Sequence, residues 1–221
     1  SANIKDIQSK DYDMLICAAA PATKWKANQN PEQDLLNIQH LIAQLQTVTV
    51  HQFMLISTVD VYPVPSQVTE DSAIDPVQAD AYGRHRYYLE EFVRQTFLNA
   101  SIVRLPGLFG KGLKKNFIFD LMHNNCLHLT HSESTYQFYN LARLWSDLQV
   151  VMTNRLALVN FATEPVCARD VALQCFDLRF DNYTDRPPVH YDMHSKYSRL
   201  YGSRTSYLYS AEETFDQIRL F

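Results

Sequence analysis

Apolar and polar positions along the first half of the chain fall into alternating blocks. The run Asp13-Met14-Leu15-Ile16-Cys17-Ala18-Ala19-Ala20 is short, continuous and apolar, the pattern of a parallel strand buried on both faces. Asn30-Pro31 opens a helix, with Asn30 as N-cap, Pro31 at the first helical position and Gln33 completing a capping box. Its apolar stripe is Leu35, Ile38, Leu41, Ile42 and Leu45. A second buried strand, Phe53-Met54-Leu55-Ile56-Ser57-Thr58, ends in hydroxyl residues. A loop punctuated by Pro63, Pro65 and Pro76 leads to a helix from about Asp80 to Thr96, with Leu89, Phe92, Val93 and Phe97 inward. The third strand, Ser101 to Leu105, is closed by Pro106-Gly107. Such alternation of strand and helix predicts a parallel α/β sheet.

Beyond residue 110 the rhythm loosens. Phe117 to Met122 reads as a helix, His128 and Tyr136 to Tyr139 as short strands, Leu141 to Met152 as a helix, and Leu156 to Asn160 as a strand. Ser210-Ala211-Glu212-Glu213 is a capping box before a last helix that carries Phe215, Ile218 and Leu220.

Composition then narrows the field. The 221 residues are 46% apolar and 20% charged, ordinary for a globular protein. Twenty basic against twenty-four acidic residues give a net charge of −4, which argues against a nucleic-acid-binding face. There is no run of about 18 apolar residues for a membrane span, and Ser1-Ala2-Asn3-Ile4-Lys5-Asp6 lacks the apolar core of a signal peptide. Cys17, Cys126, Cys167 and Cys175 form no CxxC pair and read as reduced, mostly buried thiols of a cytoplasmic protein. His123, His128 and His131 change spacing across a helix end and have no carboxylate nearby, so no metal site is expected. Glycine is scarce: five residues, where average usage of roughly 7% would give about 15.

Candidate chemistry begins at Tyr82-Gly83-Arg84-His85-Arg86. Tyr82 and Arg86 are four apart at a helix start and so share one face. A phenol ionises near pH 10, and a fixed cation one turn away favours the phenolate and brings its pKa toward working range. Ser57 and Thr58 end a buried strand at the carboxyl edge of the sheet, where open α/β sheets bind their ligands. A second strand ends at the same edge in Arg104-Leu105-Pro106-Gly107-Leu108-Phe109-Gly110.

These stretches together resemble the extended short-chain dehydrogenase/reductase family, the NAD-dependent epimerases and dehydratases of nucleotide sugars. The likeness lies in Ser57-Thr58-Val59-Asp60-Val61-Tyr62, in Glu70 ahead of Pro76, in Tyr82-Gly83-x-x-Arg86 and in Arg104 to Gly110. Asp13 to Ala20 resembles the family's fourth strand, Asn37 falls where the next helix often carries Asn, and Gln137-Phe138-Tyr139, Asp147 and Leu158-Val159-Asn160 resemble later stretches. The resemblance implies a truncated Rossmann-like, doubly wound parallel sheet with a small C-terminal α+β substrate lobe. Residues 1–113 would form a partial NAD(P)-binding domain and residues 114–221 the lobe, intertwined with it.

The resemblance further implies Thr58, Tyr82 and Arg86 as the catalytic set, with Arg86 at the family's lysine position. NAD or NADP would lie against Ala18, Ala19, Ser57, Tyr82, Arg86, Pro106 and Gly107, and a nucleotide-sugar-like substrate against Asp60, Lys111 and Asn116. Two departures stand out. Arginine keeps the lysine's charge but not its compact geometry. About a dozen residues precede the Asp13 strand, too few for the glycine turn that cradles a cofactor pyrophosphate, so the adenine-side half of the cofactor site is not expected here. Two functions follow as expectations: an epimerase or reductase of nucleotide sugars completed from elsewhere, or a non-catalytic relative binding a nucleotide sugar or a protein partner. The strand at residues 13–20 would lack its usual neighbour, and a second copy of the chain, or residues 2–12 folded back, is expected to cover it.

Overall fold

The computed structural model describes residues 4–221. Its strands in chain order are β1 (Asp11–Cys17), β2 (Thr49–Thr58), β3 (Ser66–Val68), β4 (Ala100–Leu105), β5 (Gly107–Phe109), β6 (Thr135–Tyr136), β7 (Phe138–Asn140), β8 (Leu158–Asn160), β9 (Val166–Cys167) and β10 (Asp192–Met193). The helices are α1 (Lys24–Gln29), α2 (Pro31–Leu45), α3 (Ala81–Thr96), α4 (Phe117–His123), α5 (Leu144–Thr153), α6 (Ala168–Phe176) and α7 (Ala211–Leu220). They divide into two compact units, one of residues 4–64, 72–104 and 154–159, the other of residues 65–71, 105–153 and 160–221.

The first unit is built on a four-stranded sheet in the order β1-β2-β4-β8. β1 runs parallel to β2, with Leu15 opposite Phe53 and Cys17 opposite Leu55, as the two apolar runs predict. The apolar stripe of α2 (Ile38, Leu41, Ile42, Leu45) and that of α3 (Leu89, Val93) close over Phe53, Leu55 and Ile102. Phe53 and Phe97 stack with ring centroids 4.1 Å apart. This is a half-wound α/β layer made by the hydrophobic effect acting on stripes of helical period.

The structure corrects several expectations in this unit. β1 is not buried on both faces: Asp11, Asp13 and Ile16 are exposed and only Cys17 is fully buried. It lies at the sheet edge, and β2 is its one partner in the sheet among the described residues. Residues 2 and 3 lie outside the described residues; Ile4 and Ile7, which follow, pack on the core beneath α2. Asn30 makes no side-chain cap. It also ends α1, where its N–H bonds the Lys26 carbonyl, and its backbone (φ −130°, ψ 67°) does not present the side chain to the next turn. Gln33 bonds Asn37 instead of completing a capping box. The short helix α1 was not foreseen.

The second unit holds three two-stranded sheets, β3 with β10, β5 with β7, and β6 with β9. α4, α6 and α7 pack there around Phe109, Phe117, Ile118, Phe138 and Val171. Ser210 and Glu213 form the expected capping box of α7. His128 lies in a 3-10 turn (Leu127–Leu129), not a strand, and α6 and β9 were not foreseen. Of the cysteines, only Cys17 is buried, Cys126 is exposed, and all four are unpaired. No helix among the described residues is long and apolar enough to cross a membrane.

Asp147 organises the second unit's interior. Its carboxylate accepts from the hydroxyls of Tyr139 and of Tyr209, the latter at 2.8 Å to each oxygen. Burial, then the Asp147 hydrogen bond and charge, push the pKa values of Tyr139 and Tyr209 well above the ordinary phenol value. Tyr201 is raised by burial and by the charge of Asp147. A raised folded-state pKa gives stability that is complete below the unfolded phenol's pKa of about 10 and is lost as pH climbs above it. Denaturant unfolding is therefore expected to show stability falling steadily above about pH 10, with a shallower fall in Tyr209→Phe. A pH-independent midpoint across that range would contradict this.

Candidate functional site

The carboxyl end of β2 delivers Ser57 and Thr58, and the chain then makes a 3-10 turn, Val59–Val61, capped by the Thr58 hydroxyl accepting from the Asp60 N–H at 3.2 Å. α3 starts directly against this turn. Its N-cap, Asp80, accepts from the Gly83 N–H at 2.8 Å. A Cβ on Gly83 would sit 2.0 Å from the Asp60 carbonyl oxygen, so only glycine lets the helix approach this closely. The approach brings Tyr82 beside Thr58, whose hydroxyl favours the ionised phenol. Tyr82 is 8% exposed. Burial raises its pKa above the ordinary phenol value, and the opposing pull of Arg86 does not overcome it. The lowering expected from the sequence is thus reversed, because desolvation penalises the phenolate more than the cation favours it.

Arg86 is the larger surprise. Its guanidinium lies flat on the Tyr82 ring, 3.9 Å from the centroid, but its donors point elsewhere. Nη1 and Nη2 both bond the Asp34 carboxylate, Nη2 also the Pro21 carbonyl, and Nη1 the Tyr82 carbonyl. Nε is buried with no partner among the described residues. Asp34, from the first turn of α2, also sits 2.8 Å from His85 Nδ1. Arg86 is 3% exposed and Asp34 4%. Arg86 therefore joins α2, α3 and the segment after β1 as a buried ion pair, the setting to which the planar fork of arginine is suited.

The other expected site residues fall in different places. The Ser57 hydroxyl donates to Glu90 at 2.5 Å. Glu90 in turn receives Arg104 at 3.0 and 2.6 Å, and Arg104 also donates to the Tyr62 hydroxyl at 2.7 Å. Burial alone would lower the Arg104 pKa, but the Glu90 hydrogen bonds and charge raise it. Ala18 is exposed and Ala19 half-buried just past β1. Pro106, Gly107, Lys111 and Asn116 belong to the second unit. There Gly107 bonds the Gln137 carbonyl, Lys111 is exposed, and Asn116 caps α4 while its amide donates to the Leu108 carbonyl at 2.8 Å. Glu70, in the same unit, is a buried acceptor for the Asn160 N–H, the Ser195 hydroxyl and the Lys196 N–H.

Sequence reasoning missed Lys24, at the start of α1. Its Nζ lies 2.7 Å from Asp60 Oδ1 and 3.4 Å from Asp80 Oδ2. Asn28, one turn on, accepts from the Tyr82 N–H and donates to Asp80, each at 3.0 Å. Asp80 is held below the usual carboxylate range: burial pushes it up, but the Gly83 N–H, Lys24 and Asn28 outweigh that. A lysine in an unforeseen six-residue helix gives no periodic signal, and its partners lie 36 and 56 positions away, the latter from 80 − 24.

Two stability effects follow. Asp34→Ala leaves Arg86 buried and unpaired and is expected to cost about 3–5 kcal/mol, read from denaturant unfolding, whereas Asp34→Leu with Arg86→Met should cost markedly less. Gly83→Ala must displace α3 or the Asp60 carbonyl and is expected to cost about 3 kcal/mol or more. A neutral Gly83→Ala would mean the helix is not held against the turn.

With this geometry in place, comparison with known proteins gives the chain its relatives. The profile of the NAD dependent epimerase/dehydratase family matches residues 1–140. No curated protein matches the chain. Among solved structures it is similar to the dTDP-4-dehydrorhamnose reductase of Yersinia enterocolitica, at 16% identity and a TM-score of 0.71, covering 95% of this chain and 80% of that one. The Clostridium acetobutylicum enzyme of the same name gives 18% identity and a TM-score of 0.69, with 93% and 79% covered. A UDP-galactose 4-epimerase gives 13% and 0.69, with 94% and 75% covered. These likenesses share a Rossmann-like fold with the parallel sheet described above, and the matched profile spans well over half of the sequence. The chain belongs to the NAD-dependent epimerase/dehydratase family.

Proposed function

We propose that the chain is the nucleotide-sugar-directed part of an epimerase- or reductase-type protein, with Tyr82 moving a proton at the sugar and Thr58 hydrogen-bonding the reacting oxygen. The observation that carries this reading is the Tyr82 phenol set beside the Thr58 hydroxyl at the carboxyl end of β2. A phenol kept neutral by burial suits the proton-donating half of such a reaction. Asp60, Lys111 and Asn116 are assigned to the substrate on the strength of the family resemblance, and Ala18, Ala19, Ser57, Pro106 and Gly107 to the cofactor side. Solved neighbours support the substrate and cofactor classes: one is in complex with UDP-glucuronic acid and NAD, another with NADPH. The reading includes a cytoplasmic location, which suits four unpaired cysteines.

The family's nicotinamide cofactor supplies and removes hydride when bound, and it needs a cation to hold its ribose. Arg86 does not fit that task. Four of its hydrogen bonds go to Asp34, Pro21 and Tyr82, and the remaining Nε is buried. No hydride step is therefore assigned to these residues. The same observation favours a second reading, a non-catalytic relative that binds the nucleotide sugar alone.

Calorimetry with UDP- and dTDP-sugars is expected to show binding, and its complete absence would remove both readings. Turnover followed by analysis of the sugar product, with NAD(H) and NADP(H) present, separates them, since an epimerase returns its nicotinamide unchanged while a reductase consumes it. Sugar-dependent turnover that falls by about 10²- to 10⁴-fold in Tyr82→Phe supports catalysis; sugar binding with no turnover supports the non-catalytic relative. The open edge of β1 makes a homodimer our proposed assembly. Light scattering at micromolar concentration is expected to give twice the chain mass, and a strict monomer would contradict it.

A further inference from the structure

Arg86 and Lys24 both lie at the start of α3, and they differ in what they hold. Arg86 is enclosed, with its charge answered by Asp34. Lys24 has a side chain 41% exposed and touches the carboxylate at the foot of the site. From Lys24 a continuous chain of contacts leads to the phenol. Its Nζ meets Asp60 Oδ1 at 2.7 Å. Asp60 is joined to Thr58 twice, through its N–H at 3.2 Å and through Oδ2, which accepts the Thr58 hydroxyl at 3.4 Å. Thr58 in turn lies beside the Tyr82 phenol, whose ionised form it favours.

We propose that Lys24 is a positioning residue for Tyr82: it fixes Asp60, and through Asp60 the Thr58 hydroxyl, against the phenol. The inference rests on the reading of Tyr82 as the proton-transferring group. A second contact supports it independently. Lys24 also lies 3.4 Å from Asp80, the N-cap that sets the start of α3, and Asn28 on the same short helix ties Asp80 to the Tyr82 backbone. α1 thus holds both sides of the Tyr82–Thr58 pair, the β2 exit through Asp60 and the α3 start through Asp80.

The electrostatic consequence has a definite sign. The groups facing the phenol are Arg86 on α3, Asp60 on the turn after β2 and Lys24 on α1. Burial and Asp60 raise the Tyr82 pKa, while Arg86, Thr58 and Lys24 lower it. Removing Lys24 takes away one of the charges that lower the Tyr82 pKa and so raises it further. If α1 instead served merely as packing, its loosening would admit water to the phenol and move the pKa down or not at all.

The test uses the whole chain labelled with fluorotyrosine, whose more acidic phenol can be titrated short of alkaline unfolding, read by ¹⁹F NMR and assigned with Tyr82→Phe. Lys24→Met is expected to raise the Tyr82 pKa, Lys24→Arg to restore most of the original value, and Asp60→Asn to lower it. Circular dichroism confirms that each variant remains folded; the Lys24 side chain is partly exposed, so folding is expected to survive. An unchanged or lowered pKa in folded Lys24→Met overturns the proposal. A raised pKa in a chain that binds no nucleotide sugar upholds the positioning and removes the functional reading instead.

Discussion

The contact between Gly83 and the Asp60 carbonyl decides how α3 meets the sheet, and most polar contacts of the first unit follow from it. A Cβ there would stand 2.0 Å from a backbone oxygen, so the helix can lie this close only with glycine. Once it does, the 3.6-residue period fixes what the same face delivers further along. Tyr82 reaches Thr58, Arg86 reaches Asp34, and Glu90 reaches Ser57 and Arg104. Leu89 and Val93 fill the space between with apolar surface. A helix held even slightly further out would lose this set together, because each partner is placed by a rigid element.

Two buried ion pairs therefore sit on one helix, and their roles differ by position. Arg104 with Glu90 lies inside the sheet layer, where Ser57 and Tyr62 complete the hydrogen bonding. Arg86 with Asp34 lies at the exit of the strands, beside the phenol. A charge removed from water is tolerated when a counter-charge and hydrogen bonds to its donors compensate it, and Arg86 gains these from Asp34 and from the Pro21 and Tyr82 carbonyls, with only its Nε left without a partner among the described residues. Satisfaction of this kind is what withdraws it from a ligand. A lysine at the same place has three donors on a flexible stem and could leave its partner; a bidentate guanidinium against a buried carboxylate is held in one geometry.

Local pattern carried the sequence reading where the physics is local. Parallel β1 and β2, the α2 and α3 stripes, and the Ser210–Glu213 capping box depend on residues within a few positions of one another. What the sequence hid was pairing at long range. Asp34 and Arg86 are separated by 52 positions, and the aspartate reads on its own as an ordinary acidic residue in the first turn of a helix. The Asn30 cap failed for a related reason: one residue was asked to end α1 and begin α2, and α1 was invisible in the apolar pattern. Tyr82 stands at the helix start where its motif put it, yet the direction of its pKa was misjudged, since burial at a helix start is a property of packing and leaves no mark in a four-residue motif.

β1 shows the same limit from the other side. Its sequence promised an apolar strand with nothing to discourage a neighbour, but the strand begins two residues earlier, and Asp11 and Asp13 stand exposed along its first half. Charged side chains on an edge raise the cost of pairing with another chain, because a new strand would desolvate them. The second half lacks that protection: Ile16 is exposed, while Cys17, on the opposite face, is buried. The edge is therefore asymmetric, guarded by carboxylates near its start and apolar near its end. An associating strand would gain most by entering at Ile16 and bringing basic residues to meet Asp11 and Asp13, which is a narrower demand than an unguarded apolar edge would make.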